Sequence, residues 1–394
     1  MTWSANQNLM LSADATSATE FLQAEISRDI LAEALTAVSA AQTDGDVGWI
    51  QLEFKGNGLV QMSAVSHNLS IKTIFNAEYD GIGAIKVSGK QLFEYVKQLP
   101  PEKIKFKVES SQKMSLRCGR SSAKIQLIQD QTLSDIQVPA SGTCIVVKGE
   151  ILERWVNSFR DFVSVDDTRF YANGALIWAD GSDGVVIHAV ASDAMRLAKT
   201  AMRDDFIAQQ IDASAVLVPK KALDEVRRLC SLNPSAEYTL KWNQETAFFA
   251  VETANYTMIS NCIAGKYPPY TSAIPNQINT EIEVDLKSLA ESVRRVLLFA
   301  DKNRIIKLQF DGPTLDVQSF TPGLKEGEEI ITLEVPAEQA LDVNYNGTLL
   351  TGILNALSGS KIKFSWENTN RPVKITGASE KGLEVFYLLV PTRF

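Results

Sequence analysis

Lys103-Ile-Lys-Phe-Lys-Val-Glu109 returns near the end of the chain as Lys361-Ile-Lys-Phe-Ser-Trp-Glu367. The offset is 258 residues in a chain of 394, about two thirds of its length. Half that offset points to Ala236-Glu-Tyr-Thr-Leu-Lys-Trp242, a plausible middle copy. A fixed internal period is the mark of a repeat architecture. The chain therefore reads as one unit used three times.

Each of these strands follows a short helical pattern: Ser88–Leu99, Pro219–Leu229 and Asn346–Leu357. A second helical pattern opens each unit, at Ser27–Leu35, Gly149–Val156 and Leu286–Val293. Ile151, Leu152, Trp155, Val156 and Phe159 show the spacing of one apolar helix face. Between the helices the chain alternates apolar and polar residues, as half-buried strands do. Leu59–Val65 and Val185–Val190 are such runs, and Gly56-Asn-Gly58 and Asp180-Gly-Ser-Asp-Gly184 read as turns. The unit is helix, strands, helix, strands. That makes an α+β protein of six similar halves of about 60 residues. The expected division is a loose tail over 1–20 and domains over 21–138, 139–276 and 277–394.

Composition narrows the class. Hydrophobic residues make up 45% of the chain, an ordinary globular value. No apolar run is long enough for a membrane helix. The Ser/Ala/Thr-rich start has no basic stretch leading into an apolar one, so a secretion signal is not expected. Cys118, Cys144, Cys230 and Cys262 are far apart and form no C-x-x-C, which fits a reducing cytoplasm and small buried side chains rather than zinc.

Catalytic chemistry finds little support. There are two histidines, His67 and His188, both placed on or at the end of strands and neither beside a nucleophile motif. G-x-S-x-G, Walker and H-E-x-x-H patterns are missing. Asp166-Asp167 and Asp204-Asp205 lie in polar, turn-like stretches. Asp180–Gly184 lacks the spacing and closing Glu of an EF-hand loop. No metal or cofactor is expected.

Charge is more informative. The net charge of −8 argues by itself against a nucleic-acid partner. Yet the six helical segments together are positive, and the rest of the chain carries a larger negative excess. Lys221 and Arg228, Lys220 and Arg227, and Lys287 and Arg294 are each seven apart, two helical turns, so each pair shares a face. Such faces could meet phosphates without reading bases.

Several stretches together resemble the bacterial sliding clamp family, the β subunit of DNA polymerase III. Arg169-Phe-Tyr-Ala-Asn-Gly174 followed by Ala191-Ser-Asp-Ala-Met-Arg-Leu-Ala198 is similar to that family's Y-x-N-G … A-T-D-G-H-R-L-A. Ile263-Ala-Gly-Lys-Tyr-Pro-Pro-Tyr270 with Ile274-Pro275 resembles I-D-G-R-F-P-D-Y … L-P. Tyr387-Leu-Leu-Val-Pro-Thr-Arg-Phe394 resembles the closing Y-V-V-M-P-M-R-L, and Leu354-Asn-Ala-Leu357 matches the third-domain helix. The resemblance runs from about residue 21 to the end.

The resemblance implies a non-enzymatic, cytoplasmic processivity factor. Two three-domain chains would join head to tail into a closed ring, with helices lining a hole that duplex DNA threads. Lys90, Lys97, Arg154, Arg160, Lys220, Lys221, Arg227, Arg228, Lys287, Arg294 and Arg295 are then candidates for the lining. It also implies a pocket between the second and third domains for short peptides of polymerases, the clamp loader and repair proteins. By motif the pocket would use Ala172, Ser192, Ala194, Met195, Arg196, Leu197, Pro268, Ser272, Ala273, Leu388, Val390, Pro391, Thr392 and Arg393. This chain departs from the family there. Ala194-Met195 replaces Gly-His, Ala172 replaces a leucine, Ser272-Ala273 replaces Arg-Val, Phe394 replaces leucine, and the first-domain L-P-I-L is missing. A wider, less basic pocket is expected, with an altered preference for the peptide's aromatic or leucine anchor. An alternative is a divergent paralogue serving a specialised polymerase or repair partner.

Overall fold

A computed structural model describes residues 22–42, 48–129, 133, 135–165, 172–181, 184–203, 207–212, 214–319, 327–378 and 382–393. The expected tail over 1–20, Asp166-Asp167, Asp204-Asp205 and Phe394 lie outside the described residues.

Six helices are described: α1 (Arg28–Gln42), α2 (Gly89–Gln98), α3 (Gly149–Phe159), α4 (Lys220–Leu232), α5 (Leu286–Val296) and α6 (Gly347–Ala356). Every one begins on the residue after a strand ends; the strands are Gln23–Ser27, Gly83–Ser88, Thr143–Lys148, Val216–Pro219, Thr280–Asp285 and Leu341–Asn346. The junction repeats in atomic detail. The first N–H of each helix has no intrahelical acceptor. Arg28, Gly89, Gly149, Lys220, Leu286 and Gly347 solve this alike, donating to the carbonyls of Glu102, Gly48, Ala236, Asn173, Ser360 and Arg304. Each of those carbonyls belongs to the residue just before another strand. The half-unit read from the sequence is thus one strand-to-helix corner built six times.

Side-chain caps vary around this constant corner. Ser88, Asp285 and Asn346 accept N–H bonds from the first turns of α2, α5 and α6, whereas α3 and α4 follow Lys148 and Pro219 and have no side-chain cap bond. Helices this short hold their shape mainly through packing. Each buries an apolar stripe; in α3 it is Leu152, Trp155, Val156 and Phe159. Truncating a buried Trp or Phe of this kind costs about 3–5 kcal/mol.

The chain divides into two compact units. One holds the chain up to Ser141 together with Tyr238–Trp242 and Phe248–Asn261. It contains a five-stranded sheet in the order Glu78–Asp80, Gln23–Ser27, Lys103–Ser110, Lys113–Cys118, Ser121–Gln126. It also contains the run Phe248–Glu252, Tyr256–Asn261, Leu69–Asn76, Leu59–Val65, Trp49–Phe54, Gly83–Ser88. The last strands of the second repeat therefore complete a sheet of the first, with Tyr256 opposite Thr73 and Ser260 opposite Leu69.

The other unit holds Gly142–Glu237, Asn243–Ala247 and Cys262 onward. Its largest sheet has eight antiparallel strands: Val216–Pro219, Gly174–Asp180, Val186–Ser192, Arg196–Arg203, Leu383–Leu389, Val373–Thr376, Lys361–Trp366 and Thr280–Asp285. Here too repeats merge, since Leu197 of the second sits opposite Leu388 of the third. Trp178 stacks on His188 at 4.8 Å on this sheet, and His67 is exposed in a tight turn. Cys118, Cys144 and Cys230 are buried and unbridged, and Cys262 is half-buried.

Candidate functional site

The eight-stranded sheet carries a cavity of about 250 Å³ where the second and third repeats meet. Its wall is Ala172, Ser192, Ala194, Arg196, Leu197, Tyr267, Pro268, Tyr270, Ala273, Pro372, Leu388 and Val390. Leu197, Leu388 and Val190 form its buried apolar floor, with Tyr267, Tyr270, Ala273 and Ile274 packed against them. Burial raises the phenol pKa of both tyrosines, more for Tyr267, whose rise is partly offset by a backbone hydrogen bond at Ser192.

One wall is a turn over Ser192–Arg196. The Asp193 carboxylate accepts the Met195 and Arg196 N–H groups at 3.1 and 2.9 Å, and the Ser192 hydroxyl donates to the Arg196 carbonyl at 2.8 Å. Ala194 sits at φ 72°, the left-handed region, at the position where the motif's family carries glycine. A Cβ there costs roughly 1–2 kcal/mol.

Arg196 is fixed on every side. Its Nε donates to Asp193 Oδ2 at 2.8 Å, its Nη2 to the Asp161 carbonyl at 3.0 Å, and its guanidinium lies 4.6 Å over the Phe162 ring. A methyl added at Gly352 of α6 would meet Arg196 Nη1, so the bare glycine leaves the guanidinium its place and a larger residue would make it shift. Arg196 is therefore a rigid wall with its charge already paired, not a loose anchor for an anion.

Nine of the expected pocket residues line this cavity, and Met195, Ser272, Pro391, Thr392 and Arg393 do not. Met195 is exposed on the turn, and its carbonyl accepts the Val390 N–H. The Ser272 carbonyl accepts from Arg371, the Thr392 N–H donates to the Asn344 carbonyl, and Arg393 donates to the Asn370 carbonyl. These residues fasten the frame through main-chain contacts. Tyr267, Tyr270 and Pro372 are wall residues that the sequence reading did not assign. The two tyrosines stand inside the quoted Tyr-Pro-Pro-Tyr stretch, so that signal was available; Pro372 comes from a separate turn and had none.

The basic helix residues sort into two kinds. Arg160 is 2.6 Å from both Asp161 and Asp224, and Arg295 is 2.8 Å from Glu329. Arg228 grips Glu225 at 2.5 and 2.8 Å; that carboxylate is only 2% exposed, so Arg228 neutralises a buried charge. Arg154 and Lys221 are half-buried and have partners. Arg294 donates to the Asn355 amide oxygen. Lys90, Lys97, Lys220, Arg227 and Lys287 make no ion pair among the described residues; Lys97 rests 4.0 Å over Phe93. Positive charge is also not confined to helices. The three strands spanning 103–126 carry Lys103, Lys105, Lys107, Lys113, Arg117 and Lys124, with Arg120 in the turn, against a lone acid, Glu109. Lys103, Lys105 and Lys124 are paired there with Glu78, Glu25 and Glu109.

Sequence models of the DNA polymerase III β subunit match in chain order: its N-terminal domain over residues 23–135, its central domain over 146–269 and its C-terminal domain over 271–393. The chain belongs to the β sliding clamp family. Among curated members, the β sliding clamp of Pseudomonas putida is 25% identical over 314 residues, covering 79% of this chain and 82% of that one. That of Rickettsia bellii is 22% identical over 333 residues, covering 81% and 85%. The fold agrees with solved clamps. The sliding clamp of Bartonella birtlesii, solved with griselimycin bound, superposes with a TM-score of 0.86 at 21% identity, covering 95% of this chain and all of that one. The Bacillus subtilis clamp gives 0.86 at 20% identity, covering 95% and 99%. Among the described residues of this family member, no helix is long and apolar enough to cross a membrane, and no His/Cys/Asp/Glu cluster could hold a metal.

Proposed function

We propose that this chain is a cytoplasmic DNA-sliding clamp, without catalysis of its own, that encircles duplex DNA and tethers the replicative polymerase. The observation that carries this reading is the sixfold strand-to-helix corner combined with cations that make no ion pair among the described residues, at Lys90, Lys97, Lys220, Arg227 and Lys287. Helices that share one junction geometry can share one side of an assembly, and there diffuse phosphate attraction holds DNA without fixing its sequence. The domains are proposed as 21–138, 139–276 and 277–394.

Two copies would close the ring head to tail, each junction using unlike edges of its two chains. Both sheets needed have an open edge strand: Ser121–Gln126 in one unit and Glu328–Thr332 in the other. Near the second, Leu298, Phe299 and Ile330 are 81%, 52% and 65% exposed, an apolar patch that a partner would cover. Lys113, Arg120 and Lys124 by the first edge complement Glu328 and Glu329 on the second. The cavity on the eight-stranded sheet would take short peptides from polymerases, the clamp loader and repair proteins, one apolar side chain inserted and the backbone along the rim.

The test is retention on nicked circular DNA with a clamp loader present, followed by linearisation. An encircling ring stays on the circle and runs off the linear form. Equal retention on both, or a monomer by light scattering at working concentration, ends the proposal. A second reading, a paralogue dedicated to a specialised partner, is favoured by the wall itself, where Ala172, Ala194 and Ala273 stand at positions of larger or different family residues.

A further inference from the structure

Beyond the cavity the same sheet face continues as an aromatic shelf. Cross-strand neighbours put Lys199 beside Phe386, two residues along their strands from the Leu197–Leu388 pair on the cavity floor, and Trp178 beside His188, two residues along theirs from Leu176 and the floor residue Val190. Successive side chains on one face of a strand are two residues apart, so floor and shelf are one surface. Leu176, Trp178 and Phe386 are half-buried and pack on the floor cluster. Lysines flank Phe386 from the strands on either side: Lys374 at 5.0 Å and Lys199 at 6.0 Å from its ring. Neither ammonium makes an ion pair among the described residues, although the fold pairs many of its other lysines. Asp180, Arg203 and Glu384 lie further out, near His188, and two of them, Arg203 and Glu384, face each other at 4.0 Å.

We infer that this shelf is a second recognition site for the docking peptide, selecting segments that carry aspartate or glutamate next to the apolar residue held in the cavity. This rests on the peptide-pocket reading above. The apolar anchor fills the cavity, the neighbouring backbone crosses Phe386, and the acidic side chain reaches between Lys199 and Lys374. Two unpaired cations over an aromatic ring form a place where a carboxylate gains charge-assisted contacts while the ring keeps the lysine stems ordered. A basic flanking residue in the peptide would be rejected by the same pair.

The probe is a pair of synthetic hexapeptides with the same Leu-Phe anchor, one flanked by Asp-Asp and the other by Asn-Asn. Fluorescence anisotropy on the full chain should show the acidic peptide binding about tenfold tighter, and added salt should shrink the gap. In K199Q/K374Q the two peptides should bind equally, with the Asn-Asn affinity unchanged. Equal binding to the unaltered chain, or a preference that survives K199Q/K374Q, overturns the shelf while leaving the cavity standing. If neither peptide binds, or if both still bind when Ala273→Trp fills the cavity, the pocket reading falls and the shelf with it. A circular dichroism melt confirms that each variant is folded.

Discussion

Helices α4 and α6 occupy the same place in successive repeats and use it in opposite ways. Helix α4 is crowded with charge: Lys220 and Arg227 make no ion pair among the described residues, while Arg228 is spent on the buried Glu225. Helix α6 carries no charged residue, and its Gly352 is bare so that Arg196 can press against it. The shared corner fixes where a helix starts and which stripe it buries, and nothing more. What the rest of the helix does is open to selection, so one copy presents cations and the next braces the cavity wall.

Breaking the buried pair on α4 should have the largest effect. Arg228→Met takes the bidentate guanidinium partner from a carboxylate that is 2% exposed, and its loss should cost about 1–3 kcal/mol in denaturant unfolding. The double change Glu225→Leu with Arg228→Met should restore most of that, because the buried carboxylate is removed together with its guanidinium. If Arg228→Met leaves stability intact but weakens DNA retention, Arg228 faces DNA and the division of α4 is wrong.

On α6, Gly352→Val should displace Arg196 and lower peptide affinity on the order of tenfold, about 1.4 kcal/mol, with DNA retention unchanged. Unchanged peptide binding would show that the guanidinium does not hold the wall. Lys220→Ala and Arg227→Ala should leave the melting temperature alone. Each should lower the salt slope of DNA association by up to about 0.9 if it contacts a phosphate, measured by titrating potassium chloride.

Two smaller effects sharpen the picture of the pocket's own sheet. Ala194→Gly relieves the left-handed alanine at φ 72° and should stabilise by roughly 0.5–1 kcal/mol after the entropy cost of glycine. His188 is held below its ordinary imidazole value, chiefly by burial and then by the charge of Lys199. The unfolded chain therefore binds more protons there than the native one. Its contribution is complete above the ordinary value of 6.5 and is lost as pH falls below it. Denaturant midpoints at about pH 7.5 and 5.5 should differ less in His188→Asn than in the unaltered chain.

Much of the fold was legible because it is periodic. The recurrence of Lys103–Glu109 at Lys361–Glu367 located matching strands, and all six helical patterns are helices. The cavity was legible where motif and geometry coincide, as at Leu197, Pro268 and Leu388. Elsewhere sequence adjacency misled. Thr392 and Arg393 neighbour Val390 in the chain, yet their hydrogen bonds reach Asn344 and Asn370 on other segments. Arg228 looked like Arg227 because spacing reports a helix face, not the depth of the acid that waits beneath it. The Gly352–Arg196 contact joins residues 156 positions apart, and no local pattern announces such a meeting.

The sheet shared by Leu69–Asn76 and Tyr256–Asn261 makes the repeats poor candidates for excision. A fragment cut after the first repeat would strip that edge of its neighbour and lay bare the hydrogen-bonding groups of Leu69–Asn76. Such a piece would aggregate or recruit a foreign strand. The chain is made of like parts, but shared sheets solder them together, so its modules can be counted without being detachable.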